Sequence, residues 1–281
     1  MNHNVPQRER DFFDRRWQAT RAVPVQEPLA IPGVELAGKR VLICSCGSGV
    51  EPVQAAIAGA HVWAFDISSV AVQKALDVAR FNGQTVRAAV MDFHALGFPD
   101  ACFDAIYGSS ILHHVDCAAA GRELRRCLKP GGVAFFRENS DRNVILRLAR
   151  RVMFGSPGER QRNRWLWFRR TGTSDEYPLT EKEIAVLGEI FEGRLERVYE
   201  DFMFVRLISL FGWDRPVVSS VTEAVDALTV RICPWLMRYS FAQGVRVTKA
   251  FVGTASRAPT IASGGVSSIS AASTSMDPGK S

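Results

Sequence analysis

Two adjacent histidines, His113 and His114, stand after an apolar run, Phe103-Asp104-Ala105-Ile106-Tyr107-Gly108-Ser109. Imidazole titrates near neutral pH and can take a proton from a hydroxyl or amine. Neighbouring residues at a helix start point in different directions, so at most one of the pair faces a ligand. His114 is the slight favourite, because Leu112 and Val115 look inward. The plainer alternative is a histidine that only satisfies helix-start hydrogen bonds. A second group of interest is Cys46-Gly47-Ser48-Gly49, a turn of small residues between the apolar run Val41–Cys44 and a helical pattern that resumes at Val50. Such a turn offers bare backbone N–H groups where an open α/β sheet binds a nucleotide-like ligand. A third is Asp66, which closes the run His61–Asp66, where an acid faces a ribose.

These residues need a scaffold, and the order of elements supplies one. Apolar strand patterns at Val41–Cys44, His61–Asp66, Val86–Val90, Phe103–Ser109 and Val133–Glu138 alternate with helical patterns near 50–58, 69–81 and 116–128. The last of these helices stops at Lys129-Pro130-Gly131-Gly132. Alternation over this length predicts an α/β fold with a parallel sheet. Further on, Thr180-Glu181-Lys182-Glu183 reads as a capping box, with Ile184, Leu187 and Phe191 inward. Leu195–Val205 reads as a sixth strand. Ser220-Val221-Thr222-Glu223 reads as the start of a helix with Val225, Leu228 and Ile232 on one stripe, broken by Pro234. Val245–Phe251 alternates like a seventh strand.

The ordered set resembles the class I S-adenosylmethionine-dependent methyltransferases, in particular the small-molecule branch that acts on quinone rings and natural products. The resemblance covers about residues 38–138. It rests on the Cys46-Gly47-Ser48-Gly49 turn, Asp66, Asp92-Phe93, Phe103-Asp104, Leu112-His113-His114-Val115 and Leu128-Lys129-Pro130-Gly131-Gly132. It implies a Rossmann-like, seven-stranded, mostly parallel sheet flanked by helices, with the last strand antiparallel and helical additions over the substrate end. It implies S-adenosyl-L-methionine as cofactor. The Gly47/Gly49 turn would face its methionine part, Asp66 its ribose, and Asp92 with Phe93 its adenine; Ser45, Cys46, Ile67 and Ser109 complete the expected cofactor site. The chain departs from the family pattern at Ile43, where an acid is usual, and at Ser45, where glycine is usual.

The expected reaction is in-line methyl transfer to an O, N or C acceptor of a small molecule, with His114 or His113 as base. Two alternatives accompany it: a catalytically weak or inactive cofactor-binding protein of the same fold, and a methyltransferase of a lipid or quinone at the membrane surface. A nicotinamide oxidoreductase is disfavoured, because Pro52 stands where the third glycine of its fingerprint would fall. A nucleic-acid methyltransferase is disfavoured by Ser109-Ser110-Ile111-Leu112, which lacks the Asn/Asp-Pro-Pro-aromatic segment of base-modifying relatives.

Expected domains are an N-terminal helix and connection over 1–37, the methyltransferase domain over 38–253 with inserts 139–180 and 207–243, and a disordered tail over 254–281 rich in Ser, Ala and Gly. Phe13 and Trp17 in the first segment suit a lid over the cleft, and with Glu138 and Arg169 they are the candidate substrate contacts. Arginines crowd 142–170, interleaved with Trp165, Trp167 and Phe168. Such a stretch grips a carboxylate or phosphate, gives peripheral membrane contact, or is a solvated face. The net charge of +6 alone does not argue for nucleic acid. Six scattered cysteines read as reduced thiols in a cytoplasmic protein, and no metal site is expected. The first eight residues have no apolar signal core. The longest apolar stretch, near 202–213, is interrupted by Arg206 and is too short to span a bilayer.

Overall fold

The computed structural model describes residues 21–140, 178–200 and 216–251, together with 14–15, 17–18, 142–143, 147–148, 151–152, 164–165 and 168–169. Its elements in chain order are β1 (Arg40–Cys44), α1 (Val50–Ile57), β2 (His61–Asp66), α2 (Ser69–Phe81), β3 (Val86–Val90), β4 (Phe103–Ser109), a 3-10 turn (Leu112–His114), α3 (Cys117–Cys127) and β5 (Leu128–Asn139). There follow β6 (Arg164–Trp165), β7 (Phe168–Arg169), α4 (Glu181–Ile190), β8 (Leu195–Glu200), α5 (Pro216–Ile232), a second 3-10 turn (Pro234–Tyr239) and β9 (Ala242–Thr248). Seven strands form one sheet in the order β3-β2-β1-β4-β5-β9-β8, and β6 pairs with β7 alone. In the seven-stranded sheet β9 runs antiparallel to both its neighbours, while the other pairings are parallel; β6 and β7 are antiparallel. This is the Rossmann-like, mostly parallel arrangement that the element order implies.

Both faces of the sheet are covered, which is why its strands read as nearly continuous apolar runs. On one face Leu42, Cys44, Ile106, Ala134 and Phe136 meet Leu124 of α3 and Ile184, Leu187 and Phe191 at α4. On the other, Val41, Ile43, Val62, Ala64, Ala105 and Phe135 meet Ala55 of α1, Ala71, Val72 and Ala75 of α2, and Leu29, Ile31 and Leu36 from the N-terminal connection. Each such leucine, isoleucine or phenylalanine side chain contributes roughly 1.5–3 kcal/mol of burial. The strand order reverses between β1 and β4, so the chain leaves β1 towards one side and β4 towards the other. The crevice that opens there, at the carboxyl ends of the strands, is where an open α/β sheet binds ligands.

Three local expectations shift. α5 begins at Pro216, not at Ser220, because proline suits the first turn of a helix and the chain is already helical when it reaches Ser220. β9 covers 242–248, so it starts earlier and ends earlier than the alternation over Val245–Phe251 indicates. β5 covers Leu128–Asn139, so it begins earlier than the apolar run Val133–Glu138 indicates. β8 begins at Leu195 as expected and is described to Glu200. Phe13 and the expected tail over 254–281 lie outside the described residues.

Candidate functional site

The site begins with the turn after β1. Ser45 and Gly47 both adopt left-handed backbone, with φ of 58° and 42°. Ser45 there has no glycine freedom, so the turn is held by its bonds. The principal one is Asp66 at the end of β2. Its Oδ2 accepts from the Gly47 N–H at 3.1 Å and from Ser45 Oγ at 3.4 Å, and its Oδ1 accepts from the Ser68 N–H at 3.0 Å. Burial pushes the Asp66 carboxyl above its ordinary pKa, against the backbone N–H groups of Ser68 and Gly47 that lower it. Two carboxylate oxygens offer about four acceptor directions. The N–H groups of Gly47 and Ser68 and the Ser45 hydroxyl occupy three of them, and the Ile67 N–H also bonds to the carboxylate.

The N-terminal segment lies over this turn. A Cβ added at Gly47 would stand 3.1 Å from the Trp17 ring, so that ring packs directly on the glycine. Ser68 Oγ donates to Asp14 Oδ1 and accepts from the Ala71 N–H, tying the segment to the start of α2. Gly49 has a different task. A Cβ there would fall 2.7 Å from the Ala75 backbone of α2, so Gly49 lets α1 and α2 approach closely. Cys46 is fully buried, and burial pushes its thiol well above the ordinary range; what it offers a ligand is backbone. Ile67 and Ser109 are half-buried at the ends of β2 and β4.

The loop after β3 brings Asp92 to the same edge. Asp92 Oδ1 accepts from the His94 N–H at 2.9 Å and meets His94 Nδ1 at 2.7 Å. His94 Nε2 accepts from the Asp116 N–H at 3.1 Å. Since Nε2 accepts, Nδ1 carries the proton and donates to Asp92. His94 therefore staples the Asp92 loop to the start of α3. The sequence signal was the Asp92-Phe93-His94 spacing, which lets a side chain reach back two residues. Phe93 itself is buried against Phe65 and Phe136, so only its backbone is left for a ligand.

Across the switch point, β4 delivers the 3-10 turn with the two histidines. β4 pairs β1 with Gly108 opposite Cys44, so this turn and the glycine turn leave neighbouring strands, about 4.8 Å apart. Glu138, near the end of β5, is 1% exposed. Its Oε1 accepts from the Ile111 and Leu112 N–H groups at 2.8 and 2.7 Å, and its Oε2 meets His113 Nδ1 at 2.7 Å. A carboxylate is an acceptor only, so His113 Nδ1 donates and Nε2 is the free base position of the neutral ring. The His113 and His114 rings lie 4.2 Å apart. The carboxylate partner thus belongs to His113, whereas sequence reasoning leaned to His114. Glu138 is engaged by this turn.

Beside the pair, β9 places Gln243 directly opposite Glu138, and β8 places Tyr199 opposite Gln243. Opposite residues of antiparallel strands share a face. Gln243 is 1% exposed, and among the described residues neither its Oε1 nor its Nε2 has a hydrogen-bond partner. The neighbouring Tyr199 hydroxyl receives a hydrogen bond from Arg142 at 2.7 Å. Arg169 lies in β7, which pairs with β6 and not with a strand of the main sheet, and only its backbone is described. Among the described residues, no group of three or more His, Cys, Asp or Glu is arranged to hold a metal ion.

The residues fit an adenosyl-type ligand. The turn has no side chain at Gly47, Asp66 stands beside it at the end of β2, and Asp92 stands one strand further along the same edge. Comparison with known proteins agrees. A family model described as a methyltransferase domain matches residues 42–136. The chain is 35% identical over 155 residues to a ubiquinone biosynthesis O-methyltransferase of Aromatoleum aromaticum, covering 48% of this chain and 64% of that one. It is 35% identical over 114 residues to a 2-methyl-6-phytyl-1,4-hydroquinone methyltransferase of Synechocystis, covering 39% and 36%. The chain therefore spans less than two thirds of the curated relatives it matches. In fold, it is similar to the geranyl diphosphate C-methyltransferase of Streptomyces coelicolor, with a TM-score of 0.52, 13% identity, and coverage of 89% of this chain and 99% of that one. The glycine turn, the strand-end acids Asp66 and Asp92 and the two histidines all fall within residues 42–136, the part of this chain that matches the methyltransferase-domain model.

Proposed function

We propose that the protein transfers a methyl group from S-adenosyl-L-methionine to a hydroxyl of a small quinol- or catechol-type molecule. The observation that carries this reading is the His113–Glu138 pair, set one strand from the glycine turn with imidazole Nε2 as its base position. The names of the relatives, which act in ubiquinone biosynthesis and on a hydroquinone, support an oxygen or ring acceptor. Asp66 would hold the ribose hydroxyls, the Gly47 turn the methionine part, and Asp92 with the Phe93 backbone the adenine. When bound, the sulfonium supplies an electrophilic methyl group.

The chain's own groups do the rest. His113 Nε2 would accept the proton that the acceptor hydroxyl gives up as its oxygen is methylated. Glu138 keeps Nδ1 protonated, fixes the ring, and stabilises the imidazolium that forms. Trp17 covers the turn and excludes water. Displacement in line makes alignment of acceptor and methyl group the main task. In this reading residues 1–37 form the lid, 139–180 and 207–243 wall the acceptor site, and the reduced thiols suit a cytoplasmic setting.

A second reading rests on Ile43 and Ser45. Ile43 is buried among apolar neighbours where the family usually has an acid, and Ser45 is held at positive φ. A protein that binds the cofactor without transferring its methyl group would tolerate both. The test is incubation with methyl-labelled S-adenosylmethionine and a panel of catechols and hydroquinones bearing apolar tails of different length. Label in the extracted acceptor supports transfer. Cofactor binding with no label in any acceptor favours the second reading.

A further inference from the structure

Helix α5 turns its apolar arc away from the protein. Among its described side chains, those it buries are Thr222 and Asp226, at 6% and 7% exposure, while Val221, Val225, Leu228 and Ile232 are 57%, 41%, 56% and 70% exposed. At about 100° per residue, these four fall within about 60° of one another, and their arc lies roughly 110° from Thr222 and Asp226. The stripe is about 16 Å long. It continues into the second 3-10 turn, where Trp235 is 57% exposed. An amphipathic helix normally buries its apolar face. This one rests on polar side chains and leaves the apolar face open.

The rim of the stripe is basic. Arg231 and Arg238 are exposed, and Arg238 stacks on Trp235 and Tyr239 at 5.6 and 5.4 Å. Asn143 meets the same place: its Nδ2 donates to the Tyr239 carbonyl at 2.9 Å, and the Arg147 N–H donates to the Asn143 carbonyl at 2.9 Å. Leu148 and Val152 are 61% and 60% exposed, with Arg151 exposed beside Val152. On α5, Glu223 points to the side opposite the apolar arc.

We propose that α5, its 3-10 turn and the exposed residues Leu148, Arg151 and Val152 dock on an anionic bilayer surface. The apolar arc and Trp235 enter the boundary between headgroups and acyl chains, and Arg151, Arg231 and Arg238 meet lipid phosphates. The charge argues for lipid over a second copy of the chain. Two such faces brought together would oppose arginine to arginine, whereas anionic headgroups complement them. The docking face adjoins the site, because the 3-10 turn leads within a few residues into β9, where Gln243 stands opposite Glu138. Docking therefore turns the acceptor end of the sheet towards the bilayer. That the acceptor is bilayer-borne rests on the methyl-transfer reading; the docking itself does not.

Cosedimentation with vesicles of phosphatidylcholine, with and without phosphatidylglycerol, tests it. The full chain should bind vesicles that contain phosphatidylglycerol and bind much less to phosphatidylcholine alone. The variant with Leu228→Glu and Ile232→Glu should lose binding at unchanged melting temperature, since both side chains are exposed. Arg151→Gln and Arg231→Gln should each weaken it about fivefold. Failure of the parent to bind anionic vesicles, or equal binding by the glutamate variant, overturns the proposal. So does a dimer in analytical ultracentrifugation that the glutamate variant dissociates. Affinity for S-adenosylhomocysteine, measured on the same samples, reports separately on the methyltransferase reading.

Discussion

His113 and Glu138 are 25 residues apart and joined by one hydrogen bond. The histidines were legible, since few other side chains titrate near neutral pH, and so was their place after the fourth strand. Which of the two meets Glu138 depended on the neighbour of β4 and on which face of β5 Glu138 occupies, and sequence spacing states neither. A positioned base contributes typically 10²–10⁴-fold. His113→Ala should reduce single-turnover methyl transfer by that order at neutral pH and flatten its rise with pH, with cofactor affinity unchanged. His114→Ala should keep most of the rate. Equal rates for His113→Ala and the parent would remove the base. Gln243 was not legible as a special residue at all, because an orphaned amide is a property of three strands together. A buried unsatisfied polar group costs roughly 1–3 kcal/mol. Gln243→Leu should therefore raise the melting temperature of the ligand-free protein, and a fall would show that the amide has a partner in solution.

At the scale of elements, local signals succeeded where local physics decides. The capping box at Thr180 forms as read: Thr180 Oγ1 accepts from the Glu183 N–H, and Glu183 returns a bond to the Thr180 N–H. The start of β9 was missed because Gln243 and Gly244 have weak strand propensity. Packing overrides it, since a Cβ at Gly244 would stand 2.5 Å from the Phe135 ring. The two glycines of the turn looked alike in sequence and differ in task. Gly49→Ala places a methyl group on the Ala75 backbone at a φ of 84° and should cost at least ~2 kcal/mol in denaturant unfolding. α4 and β8 are also joined by charge. Glu181 bonds Arg197 at 2.5 and 2.8 Å and Arg142 at 3.0 Å, and Arg197 first, then Arg142, hold its carboxyl at about 2 instead of 4.5. A depressed carboxyl stabilises the fold above pH 4.5 and loses that contribution as pH falls towards about 2. Glu181 is largely exposed, so the effect is modest. Acid titration of the melting temperature should show a smaller drop across this window for Glu181→Gln than for the parent.

For the whole molecule, the alternation of strands and helices sufficed for the sheet and its ligand-binding edge, because connection rules leave few ways to wind such a chain. Composition did not locate the exposed apolar arc of α5. Periodicity marks a stripe but does not say which way it faces. Nor did it show that Asp66 braces the turn it was expected to serve. That double role makes Asp66 the place to test the account. Calorimetric titration of S-adenosylhomocysteine into the parent and into Asp66→Ala should show saturable binding by the parent. Charge-assisted hydrogen bonds of roughly 1.5–3 kcal/mol are removed by the change, so the variant should bind about tenfold more weakly or worse, with a lower melting temperature from the freed Gly47 and Ser68 N–H groups. A parent that gives no binding heat and no thermal stabilisation, or a folded variant that binds as tightly as the parent, would contradict a cofactor site at this turn.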